Sequence, residues 1–305
     1  MFKVYTLPIM GLENKKRVLL FGGSGQIGTR IQELLSGEYK IVAPSRAEVD
    51  VSDLRSILRT FEINRPTVVI NMSGVTNTEV AKREPDKALR VNAFAPALIA
   101  SVTRGQDITN IQASTDYVYS GRKSSFPYNE KDRPKPCSHY GVTKLLGERL
   151  AFVNNPDTIL LRVMLPFSTR YDGKSDIARM VVNRLQSGKN FEGTTDQMIN
   201  PIFVDHLIAC IEAVMISPVS GRFHIGAKDY ITPYGFAVKV AEKMGLDSAM
   251  VCSTTFAEFS RTRDPRPQHC WLDTQKFRGV YGDGLIPTLD MGISEFVRQL
   301  ADSPR

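Results

Sequence analysis

Arg17-Val18-Leu19-Leu20-Phe21 runs straight into Gly22-Gly23-Ser24-Gly25-Gln26-Ile27-Gly28. The short apolar run reads as a strand covered on both faces. The stretch Gln26–Leu35 that follows is amphipathic and stops at Gly37, as a helix does. Between the two, glycines recur as G-x-x-G-x-x-G. Glycine tolerates positive φ and lets backbone approach a ligand closely, while the start of the next helix offers free N–H groups and positive potential. Such a loop suits a pyrophosphate, so Gly22, Ser24, Gly25, Gln26, Ile27 and Gly28 are candidates for contact with a dinucleotide. Glycines alone would also suit an ordinary turn. Their place after the first buried strand favours the ligand.

Outward from this loop the pattern alternates. Residues 40–43 read as a second strand, and residues 53–63, with Leu54, Ile57, Leu58 and Phe61 on one face, as a helix. Strands follow at 67–71, 110–113 and 158–163, separated by helices over 86–103 and 138–153. Strands alternating with helices imply parallel pairing and right-handed crossovers. The expected fold is therefore α/β, a doubly wound parallel Rossmann sheet. Beyond residue 165 the alternation loosens into helices over Ile177–Gln186, Val204–Ile216, 234–244 and 293–300. We expect a dinucleotide domain over 1–165, with residues 1–15 an extension. A smaller, mostly helical substrate region over 166–305 would close on the sheet's carboxyl edge, with 200–230 as a segment that could rejoin the sheet.

Composition bounds the rest. The chain has 305 residues, 42% hydrophobic and 23% charged, which are globular values. No apolar run approaches the ~20 residues of a membrane span. Lys3 interrupts the apolar start, so no secretory signal is expected. Cys137, Cys210, Cys252 and Cys270 lie far apart, which argues against a disulfide framework or a metal site and for a reducing, cytoplasmic setting. Lys and Arg give a net charge of +7 but are scattered, so an affinity for anionic small molecules explains the excess better than nucleic acid does. No membrane partner is expected, and a homodimer is compatible with everything read so far.

The second strand leads to Ser45 and Arg46, and an arginine there can pair with a 2′-phosphate where a carboxylate would bond a ribose hydroxyl. This favours NADP(H), with NAD(H) as the alternative. Asp50 and Val51 are placed to face the adenine, while Asp53 suits a helix cap. Ser73 and Gly74, after the third strand, and Asn92 would line the cofactor's path.

Tyr140 and Lys144 share a helix face at i and i+4. A free phenol, with a pKa of about 10, is a poor acid at neutral pH. A neighbouring ammonium is expected to lower that value and make the pair a proton donor to a carbonyl; both residues are also expected to touch the cofactor, Lys144 by a bond to the nicotinamide ribose. The pair alone is a common spacing. Thr115, Asp116 and Tyr117, at the end of the strand over 110–113, supply the context that makes it a site. His139 reads as a helix-start residue with no proton to move.

These residues, together with STDYVY at 114–119, Gly121, Tyr128-Asn129-Glu130 and YGVTKLLGE at 140–148, resemble the extended short-chain dehydrogenases/reductases and, within them, the dTDP-4-dehydrorhamnose reductase family. The likeness continues through Asp196-Gln197, residues 201–207 and Leu272-Asp273-Thr274. It implies a catalytic triad of Thr115, Tyr140 and Lys144. An oxidoreductase of carbohydrate biosynthesis would then pass hydride to C4 of a nucleotide-linked 4-keto sugar. Asp116, Tyr117 and Leu165 would border that sugar. Two departures stand out: Leu165 replaces a tryptophan usual in the family, and Thr78-Glu79 replaces its Val-Asp. The same triad would serve an epimerase that keeps its nicotinamide bound. Some proteins similar to the family, such as the regulatory subunit of methionine adenosyltransferase, act instead as NADP-binding partners of another enzyme. Asp116-Tyr117, in place of an acidic pair, disfavours a dehydratase.

Overall fold

The computed structural model describes residues 15–170, 173 and 175–302; the N-terminal extension read from the sequence lies outside them, save for Lys15. The chain runs β1 (Arg17–Phe21), α1 (Gln26–Leu35), β2 (Lys40–Val42), α2 (Leu54–Asn64), β3 (Val68–Asn71), α3 (Thr78–Arg83), α4 (Pro85–Leu89), α5 (Ala95–Thr103), β4 (Thr109–Thr115), α6 (His139–Asn154) and β5 (Ile159–Val163). It continues α7 (Ile177–Gln186), β6 (Phe191–Thr194), α8 (Val204–Ile216), β7 (Gly221–Ile225), α9 (Pro233–Lys243), β8 (Val251–Thr254), α10 (Phe256–Ser260), α11 (Gln275–Tyr281) and α12 (Leu289–Ala301).

Six strands form one parallel sheet in the order β2-β1-β3-β4-β5-β7. Alternate side chains of β1 explain why it reads as continuously apolar. Val18 and Leu20 enter a core with α1, α8 and α11, while Leu19 and Phe21 enter another with α2 and α5. Because β2 and β3 flank β1 on opposite sides, the strand order switches beside it and opens a crevice at its carboxyl end. The parallel sheet clad by helices is the fold expected from the sequence.

The second half contributes strands as well as helices, β7 among them from within the 200–230 segment. β7 extends the main sheet beside β5, and β6 and β8 pair in parallel as a separate ribbon. The ribbon packs with α7, α9 and α12 on a core of Phe167, Phe203, Phe236 and Phe296. Neither Gly-Arg-Phe-His-Ile of β7 nor Phe-Glu-Gly-Thr of β6 is a clean apolar run, which is why these strands escape periodicity. The helix expected over 86–103 is interrupted by a π turn at Arg90–Phe94. Pro96 has no N–H to give Asn92 O, and the backbone widens there. Among the described residues, no helix is long and apolar enough to cross a membrane.

Candidate active site

Gly22 ends β1 with φ +82°, and a Cβ there would stand 2.6 Å from the Met72 carbonyl carbon and Ser73 N. Gly25 N donates back to Gly22 O at 3.1 Å. A Cβ on Gly28, in the first turn of α1, would overlap Gly22 O. The loop thus closes on itself only because it lacks side chains. No side chain caps α1 at Gly25, so the first-turn amide donors are left for an anion. This cradle fits a pyrophosphate. Ser24 is exposed beside it, Ile27 is half-buried, and Gln26 Nε2 donates to Asp176 Oδ2 (2.7 Å), tying the loop to the start of α7.

Past β2, Ser45 and Arg46 are exposed, and Ser45 N donates to Glu48 Oε2 at 2.7 Å. Among the described residues the Arg46 guanidinium has no hydrogen bond or ion pair. Asp50 turns its carboxylate onto Ser52 N and Oγ (2.8 and 2.7 Å), with Val51 half-buried next to it. Asp53 caps α2 by accepting from Arg55 N and Ser56 N. After β3, Ser73 N and Oγ both donate to Asn71 Oδ1 (3.1 and 2.5 Å). Gly74 lies against Asn92, whose amide accepts from Val75 N (2.8 Å) and donates to Val75 O and Thr143 Oγ1 (both 3.1 Å). The π turn thereby fastens the loop after β3 to α6.

Thr115 ends β4, and its Oγ1 donates to Asp116 Oδ1 (2.9 Å) and accepts from Tyr117 N (3.2 Å). Asp116 is buried, and desolvation pushes its carboxyl up to about 6, the Cys270 thiol and the Thr115 hydroxyl opposing. Ser138 caps α6 through Gly141 N (3.1 Å) and so fixes where Tyr140 starts the helix. A Cβ on Gly141 would overlap Tyr117 O, which lets α6 sit directly on the turn after β4. The rings of Tyr140 and Tyr117 meet edge to face at 5.6 Å.

The expectation for the Tyr140 phenol is reversed. Burial pushes it above its ordinary value, the Asp116 carboxyl adds to the rise, and the Thr115 hydroxyl opposes it only in part. Lys144 Nζ donates instead to Ala113 O at 2.7 Å. Desolvation draws the Lys144 ammonium down to about 8, with Glu148 holding it up.

Glu148 closes the YGVTKLLGE stretch, and nothing in its sequence context assigns it a task. Its buried carboxylate accepts from Ser114 Oγ (2.6 Å), Arg162 Nε (2.8 Å) and Arg162 Nη2 (2.5 Å). Arg162 Nη1 donates on to Tyr119 Oη (2.6 Å), which lies 2.9 Å from His224 Nε2. Tyr119 Oη also donates to Asn129 O at 3.0 Å, and His224 Nδ1 lies 3.1 Å from Tyr128 O, which the imidazole can meet as a donor. Burial and the Arg162 charge push His224 down to about 3, which keeps it neutral. The i, i+4 spacing of Lys144 and Glu148 was the only sequence signal for this chain.

Leu165 is half-buried, with φ +34°, an uncommon and strained conformation for a branched residue. It packs with Tyr119, Tyr128 and Met164. Glu79, the other departure, accepts from Asp264 N (2.7 Å) and lies 3.7 Å from Arg266 Nη2, so it anchors the 264–266 loop. His139 opens α6, its Nε2 buried without a hydrogen-bond partner among the described residues. No cluster of three His, Cys, Asp or Glu side chains suited to a metal occurs among the described residues.

A family profile described as "RmlD substrate binding domain" matches residues 16–301. A relative from Haloferax volcanii, named probable low-salt glycan biosynthesis reductase, is 30% identical over 258 residues, covering 84% of this chain and 85% of its own. The dTDP-4-dehydrorhamnose reductase of Salmonella typhimurium is 27% identical over 297 residues, covering 93% of this chain and 97% of its own. The dTDP-4-dehydrorhamnose reductase of Bacillus anthracis, solved in complex with NADP, superposes with a TM-score of 0.87 at 22% identity, over 94% of this chain and all of the other.

Proposed function

The chain belongs to the RmlD substrate-binding-domain family, and on that premise we propose that it is an NAD(P)H-dependent reductase of a nucleotide-linked 4-keto-6-deoxysugar. The observation that carries this reading is that Thr115 ends β4 with its hydroxyl bearing on the Tyr140 phenol, Lys144 is tied to Ala113 O two residues earlier on that strand, and the glycine cradle follows β1 of the same sheet. Relatives named as reductases support it.

A bound dihydronicotinamide would supply the hydride. The first-turn amides of α1, with Gly22 to Gly28, would hold the pyrophosphate, and Ser73, Gly74 and Asn92 would flank the rest of the dinucleotide. Tyr140 gives its phenolic proton to the carbonyl oxygen as the C4 alkoxide develops, and Thr115 orients that oxygen. Lys144 stabilises the phenolate left behind, as only its charged form can. Asp116, Tyr117 and Leu165 border the sugar.

A panel of nucleotide 4-keto sugars scored by loss of NADPH absorbance tests the reading. Net oxidation of NADPH is the expected result. Interconversion of sugars with the cofactor unspent would establish the epimerase instead, and tight NADP binding with no turnover on any sugar would establish a partner role.

NADP(H) is the proposed preference because Arg46 is exposed and free to pair with a 2′-phosphate. Arg46→Ala should weaken NADPH binding about tenfold or more, since a charge-assisted bond contributes about 1.5–3 kcal/mol, and leave NADH nearly unchanged. Titration of both cofactors by fluorescence reads the difference. Equal weakening would remove Arg46 from the 2′-phosphate site.

A further inference from the structure

Lys144 and Glu148 lie one turn apart on the inner side of α6, and both are buried. Burying an ammonium without a counter-charge drives off its proton. The Glu148 carboxylate is at hand, but Arg162 claims two of its contacts, Ser114 a third, and the half-exposed Arg222 Nε stands 3.8 Å away. One carboxylate therefore serves three cations, of which Lys144 has the weakest hold. The same carboxylate joins the strand that ends in Thr115 to the helix that carries Tyr140.

We propose that Glu148 is a positioning residue that keeps Lys144 charged for the reaction, and that Arg162 limits how much of that charge Lys144 receives. The proposal rests on the reductase reading for its catalytic meaning only. Other titratable or charged groups around the cluster are Tyr140 and Arg149 on α6 itself, Asp116, Tyr117 and Tyr119 after β4, Arg222 and His224 on β7, and Glu130 beneath His224. His224 is neutral at every working pH, Tyr119 is held protonated by burial, and Arg222 keeps its charge, so none of these changes state near neutrality. Asp116 titrates well below Lys144, its carboxyl being brought to about 6.

The test is the pH profile of kcat between about pH 6 and 10 in two variants whose effects should have opposite signs. Glu148→Gln leaves Lys144 and Arg162 both cationic with no carboxylate, so the basic limb should move down by about one pH unit or more. Arg162→Met frees the carboxylate for Lys144, so the limb should move up. Glu148→Asp keeps the charge but draws it back, and should fall between the parent chain and Glu148→Gln; this variant also carries the test if the glutamine chain does not fold. A merely structural role would move both limbs the same way or neither, and either result overturns the proposal. So does an aspartate chain shifted as far as the glutamine chain.

A second readout does not depend on the reaction. The folded Lys144 has its proton affinity brought to about 8, below the ordinary lysine value of about 10.4. The unfolded chain therefore binds more protons across that window, and stability rises with pH through it. The rise should begin at lower pH in Glu148→Gln and at higher pH in Arg162→Met. Both differences should vanish in a Lys144→Met background. If these stability differences hold while no sugar is reduced, the functional reading fails and the electrostatic one stands. If sugars are reduced and neither readout shifts, the reverse is true.

Discussion

Tyr140→Phe should lower turnover of the 4-keto sugar by about 10²–10⁴-fold while Tm and NADPH affinity stay close to those of the parent chain. The split follows from what the substitution removes. The ring keeps its place against Tyr117 and beside Ala81 and Ala88, and only the phenolic O–H is lost. Burial holds that phenol above its ordinary value, so it is present as an acid at any working pH. The upper bound on pH comes from Lys144. Its proton affinity is lowered to about 8 by desolvation, so the charge that stabilises the developing phenolate is complete below that pH and lost as pH rises through it. Turnover in the parent chain should thus fall above about pH 8. A phenylalanine chain that retained more than a tenth of the parent kcat would remove Tyr140 from the proton transfer.

The difference between what could and could not be read beforehand follows sequence distance. Gly22–Gly28 was legible because a strand, its loop and a helix are contiguous, and Tyr140/Lys144 because four residues make one helical turn. The state of that pair was not. Its spacing implied that Lys144 lowers the phenol, whereas burial of both groups dominates and Nζ turns to Ala113 O. Distance along the chain hid the rest. Glu148 meets Arg162 across 14 residues, and Tyr119 meets His224 across 105, on a strand whose sequence contains an arginine and a histidine where a buried run was sought. The polar side chains of β7 are there because the network needs them. Those same residues disguise the strand.

Gly147→Ala should destabilise the chain, although a glycine in the interior of α6 would ordinarily gain about 1 kcal/mol of helix propensity from that change. The sign reverses because a Cβ at this position would overlap Asn92 O and press on Ala93 Cα at 3.2 Å, both of them backbone. Neither side can yield cheaply. Asn92 sits in the π turn that Pro96 imposes, and its side chain grips Val75 and Thr143. Overpacking of this kind costs about 1–3 kcal/mol, or a fall in Tm of about 2–5 °C for a chain of this size. Retreat of α6 would also displace Tyr140 and Lys144 from Thr115, and displacement of Asn92 would loosen the loop at Gly74, so turnover should drop further than stability alone requires. Gly279→Ala supplies the contrast: that glycine lies inside α11 with nothing within 4 Å of an added Cβ, and its substitution should be neutral or stabilising. Thermal unfolding of the two variants side by side decides the matter. If both raise Tm alike, then α6 does not owe its close approach to the π turn to Gly147, and the reason for a glycine three residues after Lys144 must be sought elsewhere.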